Sequence, residues 1–150
     1  MNESLAKILE RKQKQAAGQK INWDERRDKF IAAVDHLYRQ IQEMLGEAIA
    51  NKKVSVQRRA KDLSENYIGT YKIDDLIVLM GDEQVRFSPR GRNVGNFAGR
   101  VDVLGERGEA SLLVQTDGRW GFVQTRQPTL KVVPLDESSF AEVLELVMRE

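Results

Sequence analysis

The chain has 150 residues, 41% of them hydrophobic and 31% charged, with a formal net charge of +1, a single histidine and no cysteine. That length supports one core of ordinary size, the composition excludes an extended disordered chain, and the missing thiols exclude disulfides, thiolate metal centres and cysteine nucleophiles. No apolar run approaches the ~18 residues of a membrane span, and the first twenty residues alternate charge with Leu and Ala, unlike a signal peptide, so a cytoplasmic protein without membrane association is expected.

Residues 4–17 are strong helix formers, with Leu5, Ile8 and Leu9 on one side among Lys7, Arg11, Lys12 and Lys14. Gly18 reads as a stop. Asn22 with Glu25 has capping-box spacing and opens a second, longer helix from Trp23 to about residue 50. Along it Phe30, Val34, Leu37, Ile41, Met44 and Ala48 recur at alternating steps of four and three, which makes a seam. Either a second protomer or the chain's own sheet can bury that seam. The extra arm favours a homodimer with Phe30, Val34, Leu37, Ile41 and Met44 at its interface, and an arm folded back as a helical hairpin would give a four-helix assembly.

From Val54 the period changes to two. Leu76–Met80 is a continuous apolar run, read as a strand covered on both faces. Val85 with Phe87, Val101 with Val103, Leu112 with Val114, Trp120 with Phe122 and Leu130 with Val132 supply further strands. Asp117-Gly118 and the segment 105–108 supply tight turns. Such strands are antiparallel neighbours. Asp136 then caps a last helix, with Leu135 and Phe140 at hydrophobic-staple spacing. The fold class is α+β: a helical arm and long helix, six to seven antiparallel strands in a meander or a partly closed barrel, and a C-terminal helix packed on the sheet. Residues 1–52 form the helical part and 53–150 the sheet part. Seven strands and a closing helix resemble, in element count, the layout of pleckstrin-homology-like barrels, a likeness that implies no activity.

Catalytic material is sparse. With His36 the single histidine, no triad and no histidine-rich zinc site can be assembled. Asp74 and Asp75 before the apolar strand, with Asp82 and Glu83 after it, are the only placement resembling a metal-dependent hydrolase, and such acids also serve as turn residues. No enzyme activity and no cofactor are expected.

Charge is unevenly spread. Residues 1–61 carry 14 Lys and Arg against 8 Asp and Glu, a net of +6, whereas residues 62–150 carry 10 against 15, a net of −5. Either the basic half meets a polyanion or the halves attract each other. Lys52, Lys53, Arg58 and Arg59, joined by Arg90 and Arg92 of the stretch SPRGRNVGNFAGR, are the candidate contacts for an acidic partner or nucleic acid. The glycines of that stretch, spaced every four residues, match neither the Walker nor the dinucleotide pattern, so it reads as a hairpin loop, with Gly99 marking a bulge or a close approach of another backbone. The leading expectation is a non-enzymatic adaptor, dimeric through its helix, that engages a protein through its sheet. The alternative is a nucleic-acid-binding regulator.

Overall fold

The structure, a computed structural model, describes residues 2–91 and 97–150, with the backbone alone for residues 16–22. In chain order it comprises helix α1 (Glu3–Met44), the short α2 (Gly46–Ala50), strands β1 (Val54–Glu65), β2 (Gly69–Met80), β3 (Glu83–Gly91), β4 (Gly99–Leu104), β5 (Glu109–Val114), β6 (Trp120–Thr125) and β7 (Lys131–Pro134), and helix α3 (Glu137–Val147). The strands make one antiparallel meander in the order β1 to β7. Among the described residues no ladder joins β1 to β7, so the sheet is open and the barrel alternative is set aside.

One expectation fails at the helix. Gly18 does not stop it: α1 runs unbroken for 42 residues, about 63 Å at ~1.5 Å per residue. Its cap is Asn2, whose side chain accepts the Leu5 N–H at 2.8 Å. A glycine inside a helix costs about 1 kcal/mol, whereas ending one helix and starting another four residues later would strand several backbone donors and acceptors. The helical hairpin therefore does not form, and the side chain of Asn22 lies outside the described residues. At the other end the helix stops short of residue 50, turning at Leu45 into α2.

The seam is the second correction. Phe30, Val34, Leu37 and Ile41 are buried within the chain, in the same core as Leu76, Val78, Phe87, Val103 and Phe122, and Met44 packs against its edge. The sheet supplies a wide apolar face from alternate residues of β2 to β6, and it covers this part of the helix without a second protomer. Residues 1–52 and 53–150 thus share one core. The sheet bends about α1: Arg58 of β1 pairs with Asp35 on one side, and Trp120 Nε1 donates to the Ala33 carbonyl at 2.9 Å on the other. Helix α3 packs on the same face, with Leu135 and Phe140 both buried and Phe140 stacked on Phe87 at 6.2 Å between centroids.

In a meander, connections alternate between two ends. The β1–β2 and β5–β6 turns lie at one end, and α1 leaves the body there, its Trp23 stacked on Tyr67 of the β1–β2 turn at 5.5 Å. The β2–β3 and β4–β5 turns lie at the other end, where α3 finishes: the Arg107 N–H donates to the Val147 carbonyl at 2.8 Å. Gly105 is required at that junction, since a Cβ there would stand 2.2 Å from the Val147 oxygen. In the stretch SPRGRNVGNFAGR, Pro89 belongs to β3, not to a loop. On the β2 side its missing N–H costs no ladder bond, because β3 pairs with β2 only as far as Phe87, and on the other side Pro89 stands opposite Val101 of β4. The register shift lies within β3 at Pro89/Gly91 and not at Gly99 of β4, where a Cβ would stand 2.3 Å from the Phe30 ring and 3.2 Å from the Gly91 carbonyl oxygen.

Candidate functional site

The first feature is the projecting part of α1. Residues 3–15 are exposed throughout, and Leu5, Ile8 and Leu9 keep 47%, 46% and 47% of their surface in water. They stand on one side of the helix at spacings of three, four and one, with Lys7, Arg11, Lys12 and Lys14 around them. Full burial of such side chains is worth roughly 1.5–3 kcal/mol each, and about half of that is unrealised here. The root of the arm is held by the Trp23–Tyr67 stack, over which Arg26 lies 5.3 Å from the Trp23 ring.

The basic candidates do not converge. Arg58 and Arg59 are successive strand residues and point to opposite faces. Arg58 turns toward α1, where its Nη1 lies 2.8 Å from Asp35 Oδ1 and 3.9 Å from Asp74 Oδ2, with the guanidinium 5.3 Å above the Tyr38 ring. Arg90 bonds Asp102 at 3.0 Å on the face of the sheet away from the helices, beside Arg100, which holds the same carboxylate at 3.1 Å. Lys52 and Lys53 stand exposed on the α2–β1 connection, and Arg92 lies outside the described residues.

The carboxylates suggested for a metal are already neutralised. Asp75, only 6% exposed, meets Lys61 Nζ at 2.8 Å and Arg86 at 4.0 Å. Lys61 also donates to Ser88 Oγ at 2.6 Å and to the Pro89 carbonyl at 2.8 Å. That serine–lysine contact resembles a nucleophile with its base, yet the Lys61 ammonium is held against the Asp75 carboxylate and donates to two oxygens, the arrangement of a structural anchor. The group is a buried ion pair that joins β1, β2 and β3. Asp74 contributes its carbonyl, which accepts from the Tyr38 hydroxyl at 2.6 Å, a hydroxyl that also reaches the Phe87 carbonyl at 3.2 Å. Among the described residues no three metal-ligating side chains gather. His36 is exposed on the outward side of α1, lining with Lys29, Phe97 and the turn at 115–118 a groove of about 890 Å³ whose one carboxylate, Asp117, is paired with Arg119 at 2.7 Å.

Sequence reasoning missed an acidic surface at the far end of the body. Arg149, just past α3, is shared by Asp82 at 2.9 Å, Glu83 at 3.3 Å and Glu106 at 2.7 Å. Arg149 holds the Asp82 carboxyl below the usual carboxylate range. Arg107 lies 3.6 Å from Glu150 and donates to the Glu145 carbonyl. Four carboxylates, those of Asp82, Glu83, Glu106 and Glu150, therefore share two arginines, and the exposed Glu145 stands in the last turn of α3 beside them. Beside them Leu146 is 51% exposed. The only sequence signal was the −5 balance of residues 62–150, which does not say where the charge collects.

No described helix is long and apolar enough to cross a membrane. Comparison with known proteins finds no matching family model, no matching curated protein and no matching solved structure, so function is argued from these surfaces alone.

Proposed function

We propose that this protein is a non-enzymatic binding module that self-associates through its N-terminal helical arm, with the sheet body left to engage a further protein partner. The observation that carries the reading is the exposed Leu5, Ile8 and Leu9 on a continuous helix that extends beyond the body. Such a stripe is unusual on an isolated surface and is the usual mark of an interface. A binding role without catalysis is further supported by the pairing of Lys61 with Asp75 and of Arg58 with Asp35 and Asp74, which commits the candidate reactive groups to structure. The nucleic-acid alternative gains nothing from geometry, because Arg58 and Arg90 hold carboxylates of their own chain and face different directions.

Light scattering tests the reading. At tens of micromolar in low salt, the intact chain is expected at twice its mass or more, and a variant lacking residues 2–15 at 17.1 kDa less the residues removed. An intact chain that stays monomeric, or a truncated one that associates as well as the intact one, overturns it.

A further inference from the structure

The proposal above leaves open what receives the arm. Residues 2–15 carry Lys7, Arg11, Lys12 and Lys14 against Glu3 and Glu10, a net of +2 around the Leu5, Ile8 and Leu9 stripe. Two such arms laid against each other would bring like charges together. Their stripe also spans barely two turns, where a coiled coil needs about three to four heptads. A symmetric arm-to-arm pair is thus short of both apolar length and charge balance.

The opposite end of the same molecule has the complementary chemistry. Around the C-terminus of α3, Asp82, Glu83, Glu106, Glu145 and Glu150 outnumber Arg107 and Arg149 by three, and Leu146 is exposed among them. The other cations of that end stand elsewhere: Lys131 is exposed at the start of the edge strand β7, beyond β6. Lys52 and Lys53 lie beside β1 at the sheet edge, whereas α3 packs over β4, β5 and β6. Arg126 turns to Ser111 Oγ, at 3.0 Å, on the face away from the helices.

The arm cannot meet this surface within one chain. Helix α1 is continuous, its arm leaves the body at the end of the β1–β2 and β5–β6 turns, and α3 ends among the β2–β3 and β4–β5 turns. We infer that the basic arm of one copy docks on the acidic, Leu146-bearing surface at the α3 C-terminus of the next copy, a head-to-tail contact. This rests on self-association through the arm, as proposed above. Heterologous contacts of this kind close into rings or run on as open chains, and they do not stop at a two-fold dimer.

The test uses two variants, each checked for a native circular dichroism spectrum and melting transition. One lacks residues 2–15 and keeps the acceptor. The other keeps the arm and carries Glu106→Lys, Glu145→Lys and Leu146→Lys, all at exposed positions. Neither variant alone is expected to associate, with the apparent association constant at least tenfold below that of the intact protein. Mixed one to one, they are expected to form a discrete heterodimer, because one arm then finds one acceptor. Should the triple-lysine variant associate like the intact protein and ignore the truncated one, the arms pair with each other: the head-to-tail inference falls while arm-mediated association stands. Should the intact protein be monomeric, both fall.

Discussion

Tyr38 shows how one hydroxyl fixes a helix to a sheet. Its ring is fully buried, and its O–H donates to the carbonyls of Asp74 and Phe87, from two different strands. Burial pushes its ionisation well above the usual tyrosine range, the nearby Asp75 carboxylate adds to the shift, and Arg58 opposes it. A raised value means the folded state keeps a proton that the unfolded chain releases above about pH 10. The stabilisation is therefore complete below pH 10 and is lost as pH rises further. Denaturant midpoints measured from pH 8 to 11 should fall more steeply for the wild type than for Tyr38→Phe. At pH 8 the same substitution should cost about 1–3 kcal/mol, because two carbonyls lose their donor. Equal pH slopes for the two proteins would contradict the assignment. Gly99 makes a steric counterpart. A Cβ at this position would stand 2.3 Å from the Phe30 ring, so Gly99→Ala must displace a core aromatic. The expected loss is about 1–3 kcal/mol, read from urea unfolding, and an unchanged midpoint would mean that Phe30 yields freely.

At the scale of elements, what the sequence disclosed tracks how local each determinant is. The strands carried by Val85 and Phe87, Val101 and Val103, and Trp120 and Phe122 were legible because alternation is written within each segment, and the Asp117-Gly118 turn set the pairing of β5 with β6. The α3 cap at Asp136 and the Leu135–Phe140 staple were equally local. The seam of α1 was visible but its partner was not, since Phe30, Val34, Leu37 and Ile41 present the same periodicity to a second helix as to a sheet. Gly18 misled because propensity speaks of one residue while helix continuity depends on both flanks. The ion pairs of Arg58 with Asp35 and of Lys61 with Asp75 lay beyond sequence reading altogether, joining residues 23 and 14 positions apart across elements whose relative rotation no pattern reveals. The surfaces followed the same rule. The arm's stripe was readable, whereas the acidic end is assembled from two turns and a helix terminus.

The whole molecule is an electrical and apolar dipole: a basic arm bearing Leu5, Ile8 and Leu9 at one end, and a shared set of carboxylates around Arg149 with Leu146 at the other. This polarity separates two ways of associating. A contact between apolar seams alone would hold or strengthen as sodium chloride is added. A contact in which Lys7, Arg11, Lys12 and Lys14 approach Glu106, Glu145 and Glu150 is weakened, because the screening length shrinks from about 10 Å at ~0.1 M salt to about 3 Å at ~1 M. Sedimentation of the intact protein across that range should show the weight-average mass falling toward the monomer, with the apparent dissociation constant rising at least tenfold. Over the same range the urea midpoint of the body should barely move, since the core that joins α1 to the sheet is apolar and exposed ion pairs contribute little. A mass independent of salt would place the association on apolar contact alone and take the acidic end of the molecule out of it.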